Sequence, residues 1–93
     1  MQRDSANFCR IEQVVKGFAN HRRLEILELL QDEPELSVDE ISERLRIGYM
    51  NASDHIRKMA IAGLVMKRSD GKNVRHKLTP RGTLILTFCK KLE

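Results

Sequence analysis

Tyr49, Asn51, Ser53, Asp54 and Arg57 place hydrogen-bond donors and acceptors on one short stretch of chain. Such groups suit the edges of DNA bases, which the major groove presents in a width that admits one α-helix; asparagine is well matched to adenine there. Two uses are open to Asp54. It can accept from cytosine N4, or it can pair with Lys58 four residues further along its own helix. Arg57 suits a base edge or a phosphate. Lys58, Lys67, Arg68, Lys72, Arg75 and Lys77 supply further cations. Cations of this kind neutralise phosphates, setting affinity and its salt dependence rather than sequence choice.

Other chemistry has no comparable residues. The chain shows no nucleophile–base pairing, no Gly-rich phosphate loop and no pair of carboxylates, so no enzymatic activity and no cofactor are expected. Cys9 and Cys89 stand far apart, make no CxxC and give no disulfide framework. No metal site is expected.

Elements must position the base-reading residues. Ala52, Ile56 and Met59 recur at helical spacing, so residues 49–61 read as a recognition helix with Met50, Asn51, Ser53, Asp54, Arg57 and Lys58 on its other side. Ala62-Gly63 ends it. Before it, Ser37 and Glu40 form a capping box for a helix from Val38 to Leu45 that buries Val38, Ile41 and Leu45. Arg46-Ile47-Gly48 is the turn between the two helices, and together they make a helix-turn-helix.

Upstream, Met1 to Ser5 reads as a loose end. Phe8, Ile11, Val15 and Phe18 mark a first helix to about Ala19. Asn20 caps a second, His21 to about Gln31, with Leu24, Leu27 and Leu30 inward and Pro34 beyond its end. Downstream, Leu64 to Arg68 and Val74 to Leu78 flank the turn cluster Ser69 to Asn73, a β-hairpin signal centred on Asp-Gly. In its second strand Val74, His76 and Leu78 share one face, and Arg75 and Lys77 the other. Thr79-Pro80 opens a last helix, whose Leu84, Ile85, Leu86, Phe88, Cys89 and Leu92 make too wide an apolar face for a small monomer. The expected fold is mainly α with a two-stranded wing, about five helices, in one domain over residues 1–93.

Charge agrees with a polyanion partner. The net charge of +4 divides unevenly. Residues 1–45 hold six Lys/Arg against ten Asp/Glu, while residues 46–91 hold eleven Lys/Arg against Asp54 and Asp70 alone. The basic half is the half with the recognition helix and hairpin, as expected of a face that meets nucleic acid. No apolar run approaches the length of a membrane span, and the start lacks a signal-peptide core, so a cytoplasmic location is expected.

The residues also resemble the ArsR-type repressors of bacteria and archaea. Ala19-Asn-His-Arg-Arg-Leu-Glu-Ile-Leu27 is similar to that family's A-[DN]-x-x-R-L-x-I-L. Leu36 to Leu45 is similar to its L-S-V-x-E-[LI]-A-x-x-L, and Ser53 to Val65 to its S-x-H-[LI]-x-x-[LM]-x-x-A-G-L-V. Gly71 to Leu78 resembles its wing; Leu78-Thr-Pro-Arg-Gly82 is also common in MarR- and PadR-like proteins. The resemblance implies a homodimeric transcriptional repressor on double-stranded DNA, paired through its first and last helices. Phe8, Ile11, Val15, Phe18, Leu84, Ile85, Phe88, Cys89 and Leu92 would then line the dimer seam. Two recognition helices would stand about one DNA turn, roughly 34 Å, apart.

This chain departs from the family's sensing residues. Ser37, Val38 and Asp39 stand where metal-sensing members carry a cysteine pair, and the last helix has no His. Persulfide sensing would need a cysteine where Glu28 stands. At the family position of His55, the side chain packs or hydrogen-bonds within the domain. Two competing functions follow: a winged helix that binds a protein partner, and a repressor gated by the redox state of Cys9 and Cys89. RNA binding has no aromatic stacking platform here.

Overall fold

A computed structural model describes the chain from Ser5 to Glu93, with only the backbone of Ser5. The expected loose end therefore lies, apart from that backbone, outside the described residues. Five helices and one hairpin follow in order: α1 Ser5–Phe18, α2 His21–Asp32, α3 Val38–Leu45, α4 Tyr49–Ile61, β1 Val65–Asp70, β2 Asn73–Leu78 and α5 Pro80–Lys90.

Local chemistry sets the helix ends. Asn20 Oδ1 accepts from the amides of Arg22 and Arg23 at 2.9 and 3.3 Å, starting α2. Both halves of the capping box are made: Ser37 N–H donates to Glu40 Oε1 at 2.9 Å, and Glu40 N–H to Ser37 Oγ at 3.2 Å. Thr79 Oγ1 accepts from Gly82 N–H at 3.0 Å and donates to the Gly63 carbonyl at 2.6 Å. That one hydroxyl starts α5 and ties it to the end of α4. Each such cap contributes on the order of 1 kcal/mol.

The core gathers Ile26, Leu27 and Leu30 of α2, Ile41 of α3, Ile56 and Met59 of α4, Leu64, and Leu86 of α5. Within α2 Leu27 and Leu30 are buried as expected, and the third buried residue is their neighbour Ile26 rather than Leu24. Ile26 is fully enclosed, while Leu24 is half-buried at the core's edge. Val38 and Leu45 likewise flank the core, and only Ile41 of α3 is buried within it. Gly17 of α1 lies directly on the Ala62 methyl, and any side chain there would collide with it.

The strands run further into the turn than the residue types suggest. Ser69 pairs with Val74 and Asp70 with Asn73, leaving Gly71-Lys72 as a two-residue turn. Gly71 holds φ +61, a conformation that costs glycine little, so the polar residues on either side can stay extended and pair. The hairpin also gains a third, one-residue strand. His76 N–H donates to the Leu36 carbonyl at 2.9 Å and Glu35 N–H to the His76 carbonyl at 2.8 Å, joining the α2–α3 connection to β2.

Candidate nucleic-acid interface

α4 divides cleanly into two sides. Ala52, Ile56 and Met59 are fully buried and fix the helix against α3 and the core. On the other side Tyr49, Met50, Asn51 and Arg57 are exposed, with Ser53 and Asp54 half-exposed beside them. Among the described residues, no side-chain hydrogen bond engages Asn51. Met50 carries no hydrogen-bonding group suited to base edges, yet it is 79% exposed in the first helical turn. Its exposure follows from its place on the polar side of the helix, despite its apolar type.

Asp54 is held from within. Arg57 Nη2 donates to its Oδ1 at 2.6 Å and Lys58 Nζ lies 3.1 Å from its Oδ2. The Arg57 hydrogen bond, then that of Lys58, holds the carboxyl below its ordinary range. Of its two expected uses, the free protein shows the intrahelical one, extended to Arg57.

The wing cations are not one set. The register places Lys67 opposite His76, whereas Arg68 faces Arg75, and Lys77 faces Met66. Directly opposed residues share a sheet face. Lys67 therefore projects from the face that carries His76, and Arg68, Arg75 and Lys77 from the other. Two opposed arginines would repel, and Glu35 separates them. Its carboxylate accepts from Arg68 Nε and Nη2 at 2.9 and 2.8 Å, and its carbonyl accepts from Arg75 Nη1 at 3.1 Å. Arg75 Nε also donates to Asp70 at 2.9 Å. The Arg68 hydrogen bond holds the Glu35 carboxyl below its ordinary range. Among the described residues no carboxylate pairs with Lys67, Lys72 or Lys77. No local signal marks Glu35 in the sequence, because its partners lie more than thirty positions away.

His76 and His55 are structural, while His21 is exposed at the start of α2. His76 is 1% exposed and its Nδ1 lies 2.9 Å from the Leu36 carbonyl, closer burial than its alternation with apolar residues suggests. Burial pushes its pKa down against the raising effect of that hydrogen bond. His55 Nδ1 accepts from Arg23 Nε at 3.1 Å, so it acts within the domain as its family position implies. Burial first, then the charge of Arg23, lowers its pKa.

The expected seam residues separate into two groups. Phe8, Ile11 and Val15 are exposed along α1, and Leu84 and Phe88 along α5, with Leu92 just past its end. Phe18 and Ile85 instead pack partly on the chain's own core. Cys9 and Cys89 are free thiols, exposed and half-buried respectively. Among the described residues no three metal-ligating side chains cluster, and no helix is long and apolar enough to cross a membrane.

Known proteins share this fold. The winged helix DNA-binding domain family matches residues 20–82. The transcriptional activator HlyU of Vibrio cholerae is 35% identical over 79 residues, spanning 85% of this chain and 72% of that protein. A solved structure of V. cholerae HlyU superposes with a TM-score of 0.78 at 32% identity, covering 92% of this chain and 94% of that one. The homodimeric winged helix-turn-helix domain of a possible ArsR-family regulator from Mycobacterium bovis superposes with a TM-score of 0.87 at 25% identity, covering 99% and 85%. These relatives are transcriptional regulators and not enzymes. The chain belongs to the winged helix DNA-binding domain family and, within it, to the ArsR-type transcriptional regulators.

Proposed function

We propose that this protein is a cytoplasmic, homodimeric transcriptional repressor that occupies a near-palindromic operator in double-stranded DNA. The observation that carries this reading is α4, one side sunk in the core and the other presenting Tyr49, Met50, Asn51 and Arg57 to solvent. That side enters the major groove. Tyr49, Asn51, Ser53, Asp54 and Arg57 read base edges, and Asp54 does so once phosphates or bases draw Arg57 and Lys58 away from it. Lys58, Arg68, Lys72, Arg75 and Lys77 meet phosphates, with Lys67 approaching from the other face of the wing.

The dimer forms through α1 and α5, whose apolar stripes are exposed among the described residues. The M. bovis neighbour is described as homodimeric, which supports pairing in this chain too. Repression follows from occupancy: a dimer covering its operator excludes the transcription machinery. HlyU is named an activator, so the sign of regulation is tested directly. Selection from random-sequence duplexes at two salt concentrations should enrich a near-palindrome whose affinity falls steeply with salt. Transcription in vitro from a promoter carrying that sequence should then drop as the protein is added. Failure to enrich any sequence would overturn operator binding, and a rise in transcript would overturn repression.

A further inference from the structure

A cleft of about 500 Å³ opens where α1, the end of α4 and the start of α5 meet. Its walls carry five cations, Arg10, Lys16, Arg23, Lys58 and Arg81, and no carboxylate lines it. Three of the five are held by neutral groups, Arg10 among them through the Asn7 side-chain oxygen, and Lys16 pairs with Glu12 at 2.9 Å outside the cleft lining. Arg23 donates to the Lys16 carbonyl at 2.9 Å and to His55 at 3.1 Å, and Arg81 to the Ala62 carbonyl at 2.9 Å. The guanidiniums of Arg23 and Arg81 are thus fixed in place with no carboxylate partner among the described residues. The remaining lining is partly apolar: Val14, Ala62, and Ile61, which is 77% exposed at the mouth. The volume falls within the range of small-ligand pockets.

The geometry points to a binding site for a small organic anion with an apolar body, such as an aromatic carboxylate, sulfonate or phosphate monoester. Arg23 and Arg81 take the anionic group by charge-assisted hydrogen bonds, and the body lies along Val14 and Ile61. Dimerisation leaves the cleft open. On α1 the cleft takes residues 10, 13, 14, 16 and 17, whereas the exposed apolar stripe takes 8, 11 and 15, a different face. Lys58 joins the site to the recognition helix, because it lines the cleft and also pairs with Asp54. An anion that draws Lys58 inward removes one cation from the DNA side and leaves Asp54 paired with Arg57 alone, so occupancy weakens DNA binding. The anion site stands on the cleft alone; only its effect on DNA rests on the function proposed above.

The test uses the full chain and 1-anilinonaphthalene-8-sulfonate, an organic anion whose fluorescence reports binding. One saturable site per protomer is expected. Ile61→Glu puts a carboxylate at the mouth from an open position, leaving the fold intact, and should weaken probe binding about tenfold or more. Arg81→Gln, which removes a cation without adding an anion, should weaken it less. Saturating probe should lower the affinity of the unaltered protein for duplex DNA and leave that of Ile61→Glu unchanged. Binding that neither variant weakens would overturn the site. So would an Ile61→Glu protein that, without probe, loses DNA affinity as steeply as probe affinity, since the cleft would then belong to the DNA track. Probe binding with DNA affinity unmoved would overturn the coupling. Probe binding in a protein that binds no DNA would overturn the DNA-binding function and leave the anion site standing.

Discussion

The DNA side of the molecule and its α1/α5 side differ in how far one chain completes them. On the DNA side four of the cations are already matched to carboxylates: Arg57 and Lys58 to Asp54, Arg68 to Glu35, and Arg75 to Asp70. These are exposed pairs, each worth little in stability, and a phosphate can displace the carboxylate at small cost. On the α1/α5 side Phe8, Ile11, Leu84, Phe88 and Leu92 are each more than half exposed. Nothing in water replaces a lost apolar contact, so that surface suits the second copy proposed above. Exchangeable polar pairs suit a partner that comes and goes; exposed apolar stripes suit one that stays.

The largest effect should come from breaking the apolar side. Phe88→Glu, at an exposed position, should yield a folded monomer by sedimentation and lose about a hundredfold in operator affinity, because the two half-sites are no longer bound together. A variant that still sediments as a dimer would move the seam elsewhere. Next, Asn51→Ala should cost about 1–3 kcal/mol on the selected operator and far less on unrelated DNA. Equal losses on both would make α4 a phosphate-binding helix rather than a reading one.

Smaller effects separate the wing cations from one another. Lys72→Ala or Lys77→Ala should weaken all duplexes alike and reduce the slope of log affinity against log salt by about 0.9 each. Glu35→Gln should instead raise DNA affinity a few-fold by releasing Arg68. If affinity falls, Glu35 positions the wing for DNA rather than restraining it.

These contrasts also separate what local sequence can and cannot specify. The caps at Asn20, Ser37 and Thr79, the helical spacing of Ala52, Ile56 and Met59, and the turn at Gly71 all act within a few residues. Five helices, the wing and the outward side of α4 were therefore legible. Glu35 and His76 were less so. The Arg68–Glu35 pair spans 33 positions and the His76–Leu36 contact 40. Only the packed fold brings them together. The two-faced placement of Lys67 depends on a strand register that the turn sets through the φ of Gly71.

The smallest predicted effect is pH-dependent. Burial lowers the pKa of His76, and burial with the charge of Arg23 lowers that of His55. The unfolded chain therefore takes up protons on these groups before the folded one does. Their contribution to stability is complete above the ordinary histidine pKa of about 6.5 and falls as pH drops below it. Urea midpoints measured downward from neutral pH should decline, and the decline should shrink in His55→Gln. A midpoint that rose on acidification would reverse the sign assigned to both histidines.

The most direct test of an α4 that reads DNA from a two-fold dimer is a footprint on the selected operator. Methylation interference should mark two major-groove segments about 10 base pairs apart, related by a two-fold axis, and Asn51→Ala should erase the same base contacts in both. A single protected segment, or two segments indifferent to Asn51, would contradict it.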